Sequence, residues 1–91
     1  GCVQVLLMSK EIERMKMMIL NDMDAGVTLL DGKTGFLKEN TEVVLTILPY
    51  RKLPDLKDKI KEIDEKAFII VSHVEEVSGN GFTYTKEMRE A

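Results

Sequence analysis

Residues 26–36, GVTLLDGKTGF, and the run EVVLTIL at residues 42–48 are the stretch on which the fold turns. Residues 27–30 are β-prone. Asp31-Gly32 and Gly35 then punctuate the chain, and EVVLTIL is the most β-like run in the molecule. No helical periodicity separates the two runs, so they read as a hairpin in the middle of the chain. The connection from Asp31 to Asn40 is roughly ten residues, where hairpins usually need two to five, and long loops tend to carry function or motion.

An amphipathic helix is expected on either side of this hairpin. Before it, Ile12, Met15, Ile19 and Met23 recur at steps of three and four, Met18 and Leu20 widen the stripe, and Met17 lies off it. Ser9 offers an N-cap, Glu11 and Glu13 suit the positive end of the helix dipole, and Gly26 can supply a left-handed turn beyond the end. After the hairpin, Leu53, Leu56, Ile60, Ile63 and Ala67 form a second stripe, opened by Pro54 and Asp55. Asp55 with Lys59, and Glu62 with Lys66, are spaced to pair on its outer side. Apolar runs at the outside complete the pattern: VQVLLM at 3–8 and AFIIVSHV at 67–74, the latter expected to be a buried strand. The order β-α-β-β-α-β predicts an α+β, ferredoxin-like sandwich, with one four-stranded antiparallel sheet and two helices on one face. Residues 1–82 make up this domain, and 83–91 read as a tail with a weak helical pattern. The strands are almost continuously apolar, as two-sided burial requires, yet two helices cover one face only. A homo-oligomer, dimer or trimer, is therefore expected.

Composition sets the outer bounds. At 91 residues the chain has room for one domain, and with 44% hydrophobic and 32% charged residues it can bury a core and keep a solvated surface. A net charge of −3 argues against general nucleic-acid binding, which carries a basic excess. The longest apolar runs are about five residues, against the ~20 that a membrane span needs. The lone cysteine, Cys2, cannot form an internal disulfide, and a lone histidine, His73, gives no metal-ligand spacing. No metal and no cofactor are expected. The chain opens directly on an apolar run with no signal-peptide pattern, which reads as a domain cut from something longer.

The search for chemistry yields no catalytic residue. Ser72 and His73 are adjacent, so on a strand they point to opposite faces and cannot work as nucleophile and base. Carboxylate neighbours such as Glu75 with Glu76 are expected of a solvated, acid-rich surface. The candidate ligand-binding residues are Asp31, Gly32, Lys33 and Gly35, where turn amides and a lysine can receive an anion, and Arg51 with Lys52 beside Tyr50, at the junction into the second helix. The alternatives are a plain hairpin loop whose glycines take positive φ, and a solvated basic corner. Gly79-Asn80-Gly81 is a second turn with the same ambiguity.

Three segments carry a resemblance. GVTLLDGKTGF, Arg51-Lys52-Leu53-Pro54, and KEIDEKAFIIVSHVEEVSGNGF at 61–82 resemble the C-terminal domain of YitT-type bacterial membrane proteins, a domain of unknown function, over residues 3–82. The resemblance implies a soluble module on the cytoplasmic face of the cell membrane, attached through a preceding multi-pass domain. It also implies a fold similar to the PII signalling proteins, homotrimers that bind nucleotides and small effectors. Here the loop between the second and third strands is much shorter than in PII, Tyr50 stands where a basic residue is often found, and His73 stands where an acidic one is common. Two functional readings follow. The first is a non-enzymatic regulatory module that senses a small anionic effector between subunits near Lys33, Arg51 and Lys52. The other is a ligand-free oligomerisation or protein-docking module.

Overall fold

The computed structural model describes residues 1–79. The elements run β1 (Cys2–Met8), α1 (Ile12–Asp22), β2 (Thr28–Lys33), β3 (Asn40–Pro49), a 3-10 turn (Tyr50–Lys52), α2 (Leu53–Ile63) and β4 (Phe68–Val74). The strands form one antiparallel sheet in the order β2-β3-β1-β4, the interleaved β-α-β-β-α-β arrangement expected from the sequence. The expected tail at 83–91, and Asn80 and Gly81 of the second glycine turn, lie outside the described residues.

The core lies between one face of this sheet and both helices. Val3, Val5 and Leu7 of β1, with Val44 and Leu48 of β3, are buried against Met15, Met18, Ile19 and Met23 from the first helical stripe and Leu53, Leu56 and Ile60 from the second. Alternation along β1 is complete, with every second residue buried, because successive strand side chains point to opposite faces. Thr46 is the one buried polar residue in this layer among the described residues; its hydroxyl donates to the Gly26 carbonyl at 2.8 Å.

Several local expectations need correction. Ser9 is not the N-cap of α1. Its Oγ accepts the Glu11 N–H at 2.9 Å and donates to Asp64 Oδ2 at 2.7 Å, tying the start of α1 to the end of α2. The left-handed turn after α1 falls on Asp24 (φ 49°), two residues before Gly26. Of the expected helical pairs, Asp55–Lys59 forms at 3.3 Å, whereas Lys66 lies beyond the end of α2. Finally, β4 is an edge strand rather than a buried one: Phe68, Ile70 and Val71 are all exposed.

Candidate functional site

The hairpin is longer in its strands and shorter in its loop than the sequence suggests. Asp31, Gly32 and Lys33 belong to β2 and pair with Glu42, Thr41 and Asn40 of β3, leaving only 34–39 as the loop. β1 pairs with β3 no further than Val44, so residues 40–43 pair with β2 alone. This end of the hairpin is therefore a two-stranded arm that overhangs the sheet. Thr34 closes its tip: the Thr34 N–H donates to the Glu39 carbonyl, the Thr34 hydroxyl accepts the Glu39 N–H, and the Thr34 carbonyl accepts the Lys38 N–H, all within 2.9–3.0 Å. The residue with positive φ is Lys38 (56°), not Gly32 or Gly35. A Cβ at Gly35 would meet nothing within 4 Å, and one at Gly32 only the Thr41 methyl at 3.8 Å. Neither glycine is demanded by the backbone.

The surroundings of the arm are acidic as well as basic. An open depression of about 570 Å³ is lined by Asp31, Gly32, Asn40, Thr41 and Glu42. Asp31 and Glu42 stand directly opposite each other across the strands, an arrangement in which like charges repel each other and any anion.

The other candidate residues lie at the far end of β3. Lys33 pairs with Asn40 at one end of this strand, and Arg51 and Lys52 follow Pro49 at the other, roughly 30 Å away at about 3.3 Å per residue. Within one copy the two groups do not form one site. Lys52 is engaged structurally: its Nζ donates to the Met23 carbonyl at 3.1 Å, where a cation complements the negative end of α1. Arg51 is exposed and makes no ion pair among the described residues.

Beside Arg51 lies a pair that sequence reasoning missed. The rings of Tyr50 and His73 stack with centroids 5.5 Å apart and planes 24° from parallel. They meet because Cys2 pairs with Pro49 and Val3 with His73, so Tyr50 reaches past the start of β1 to β4, anchored by its N–H to the Gly1 carbonyl at 2.9 Å. The register needed to see this is non-local and leaves no mark in the sequence. Ser72 and His73 do take opposite faces: Ser72 pairs with Gln4 on the open side, His73 with Val3 on the helix side.

The largest feature is the sheet face away from the helices. The registers place Cys2, Gln4, Leu6 and Met8 of β1 on it, with Thr28, Leu30 and Gly32 of β2, Thr41, Val43, Leu45, Ile47 and Pro49 of β3, and Phe68, Ile70, Ser72 and Val74 of β4. No strand residue on this face carries a charge. The charged strand residues Asp31, Lys33 and Glu42, together with His73, all share the parity of the helix-facing side. Neither helix packs here, and Leu30, Phe68 and Ile70 are plainly exposed. No helix among the described residues is long and apolar enough to cross a membrane.

Known proteins match most of the chain. Residues 25–79 match the model of a family described as uncharacterized protein conserved in bacteria (DUF2179). The chain is 38% identical over 77 residues to the UPF0750 membrane protein YpjC of Bacillus subtilis (strain 168), covering 85% of this chain and 27% of that protein. It is 30% identical over 63 residues to the UPF0750 membrane protein YitT of the same organism, covering 69% of this chain and 22% of that one. It thus spans about a quarter of the length of these relatives. Among solved structures, a DUF2179 protein from Eubacterium ventriosum superposes with a TM-score of 0.71 at 28% identity, covering 79% of this chain and 99% of that one. A functionally unknown protein from Pediococcus pentosaceus ATCC 25745 shares the fold, with a TM-score of 0.70 at 15% identity over 87% of this chain and 95% of that one.

Proposed function

The chain belongs to the DUF2179 family of uncharacterised bacterial proteins, and from that premise we propose that it is a non-enzymatic accessory module of a membrane protein, which assembles with further copies of itself through its uncharged sheet face. The observation that carries this reading is the absence of charge from sixteen strand positions on that face (four on β1, three on β2, five on β3 and four on β4) in a chain that is 32% charged overall. Depletion of charge and enrichment in apolar side chains mark the buried centre of protein interfaces. A fold needing only solubility would place lysines and glutamates there, because an antiparallel sheet with one wet face alternates apolar-in with polar-out. The second copy is the occupant that requires nothing beyond this chain. In this reading the domain sits on the cytoplasmic face of the membrane, where the unpaired Cys2 meets a reducing environment. Its assembly sets the association of the membrane-bound parts of the larger protein.

Leu6 and Leu45 are cross-strand partners at the middle of the face, and neither belongs to the helix-side core. Replacing both with Glu should leave the secondary structure intact and convert an oligomer to a monomer. An unchanged oligomer with the double replacement in place would overturn the reading.

One observation favours a second, ligand-binding reading. The stacked Tyr50 and His73 rings with the exposed Arg51 beside them offer an aromatic platform and a cation, which suits a small anion bearing a ring, such as a nucleotide. Lys33 can join that site only from another copy, since it lies at the opposite end of its own β3. Thermal shift with a nucleotide panel tests this, because a ligand that binds the native state raises the melting temperature by mass action. The expected response is lost in Arg51→Ala while assembly is kept. No shift at millimolar nucleotide, with the oligomer confirmed, removes the small-molecule reading.

A further inference from the structure

The tip of the β2–β3 arm carries two apolar side chains for which the fold has no use. Phe36 is 94% exposed and Leu37 is 65% exposed, at the end of an arm that already projects past the four-stranded sheet. Among the described residues they have no core to return to, because β2 and β3 are alone there, and the Thr34–Glu39 hydrogen bonds hold the tip closed. A hairpin loop needs no phenylalanine for its turn chemistry, which favours Gly, Asn, Asp, Ser and Pro. The charge around the pair is basic on both sides, with one carboxylate in the loop. Lys33 and Lys38 flank it, Glu39 follows Lys38 within the loop, and Asp31 and Glu42 sit behind on the strands.

We infer that this tip is a contact point for an anionic lipid bilayer, with Phe36 and Leu37 entering the headgroup region and Lys33 and Lys38 meeting lipid phosphates. The chemistry is that of interfacial anchors in general: an aromatic and an aliphatic side chain at the apolar level, with basic residues at the charged one. Two lysines against one loop carboxylate, Glu39, leave the tip with a single positive charge in a chain of net charge −3, so any attraction to a negatively charged surface is confined to the tip. A single such contact is weak, and it becomes effective when the domain is tied to the membrane by the rest of a larger protein, through a high local concentration. This inference is separate from assembly through the sheet face, since the tip lies at the end of the arm and uses none of that face's residues.

The chain contains no tryptophan, so Phe36→Trp places a single reporter at the tip. With vesicles of phosphatidylcholine and phosphatidylglycerol, its emission should shift to the blue and be quenched by bromine-labelled lipid. Adding Leu37→Ser should lower partitioning about tenfold, and neutralising Lys33 or Lys38 should lower it about fivefold each. Flotation of the unmodified chain against a Phe36→Ser/Leu37→Ser variant checks the result without the reporter, and both should fold alike because the tip lies outside the core. Emission unchanged at millimolar anionic lipid, or equal flotation of the two chains, would overturn the inference. A blue shift that grows with protein concentration in the absence of lipid would overturn it as well, in favour of a protein contact.

Discussion

Asp64 shows how much a single side chain can depend on a distant partner. It closes α2, and its carboxylate accepts the Ser9 hydroxyl at 2.7 Å and the Lys66 N–H at 3.0 Å. The Ser9 hydrogen bond first, then the Lys66 N–H, hold its carboxyl below the ordinary carboxylate range. The folded chain therefore binds fewer protons here than the unfolded chain does. The contribution to stability is complete above about pH 4 and is lost as the pH falls through the folded value. Melting curves of Ser9→Ala should thus lie below those of the native chain at pH 7, with a gap that narrows in acid to the part due to the lost Glu11 N–H bond; a difference constant with pH would refute the coupling. Thr46 makes a second test. Its hydroxyl satisfies the Gly26 carbonyl within the core layer, so Thr46→Val keeps the shape but removes the donor, at about 1–3 kcal/mol in denaturant unfolding. Neither contact was legible in the sequence, because each joins residues at least twenty positions apart. Ser9 looked like a local cap and Thr46 like one more β-prone residue.

At the scale of elements, periodicity and turn residues carried most of the fold. Steps of three and four placed both helices, and the buried stripes are the ones those steps define, from Met15 to Met23 and from Leu53 to Ile60. What the pattern could not convey was which strands sit at the edges. Apolar runs look the same whether flanked by one neighbour or two, so β4 read as buried although among the described residues only β1 pairs with it. The hairpin misled for a different reason. Its glycines resemble positive-φ turn positions, yet Thr34 and Glu39 close the loop and Lys38 takes the left-handed conformation. Gly35→Ala should therefore be tolerated, with stability raised by about 0.4–1 kcal/mol through a less flexible unfolded chain. A loss of more than that on chemical denaturation would show that the glycine is needed after all. The candidate ligand residues divide in the same way. Their types were readable, but the length of β3 separates Lys33 from Arg51, and the Tyr50–His73 stack depends on the pairing of β1 with both its neighbours.

For the whole molecule, the two faces of the sheet have different fates. One is closed by helices and holds the core. The other has apolar side chains and, among the described residues, no charge on its strands and no helix upon it. The chain covers about a quarter of the membrane-protein relatives it matches, and under the proposed assembly an interface is a sufficient reason for keeping such a face uncharged. The most direct measurement is sedimentation equilibrium of the isolated chain from low to high micromolar concentration. Self-association through the open face predicts a dimer or trimer that Leu6→Glu/Leu45→Glu reduces to a single chain. A native chain that stays monomeric at high micromolar concentration would contradict the account.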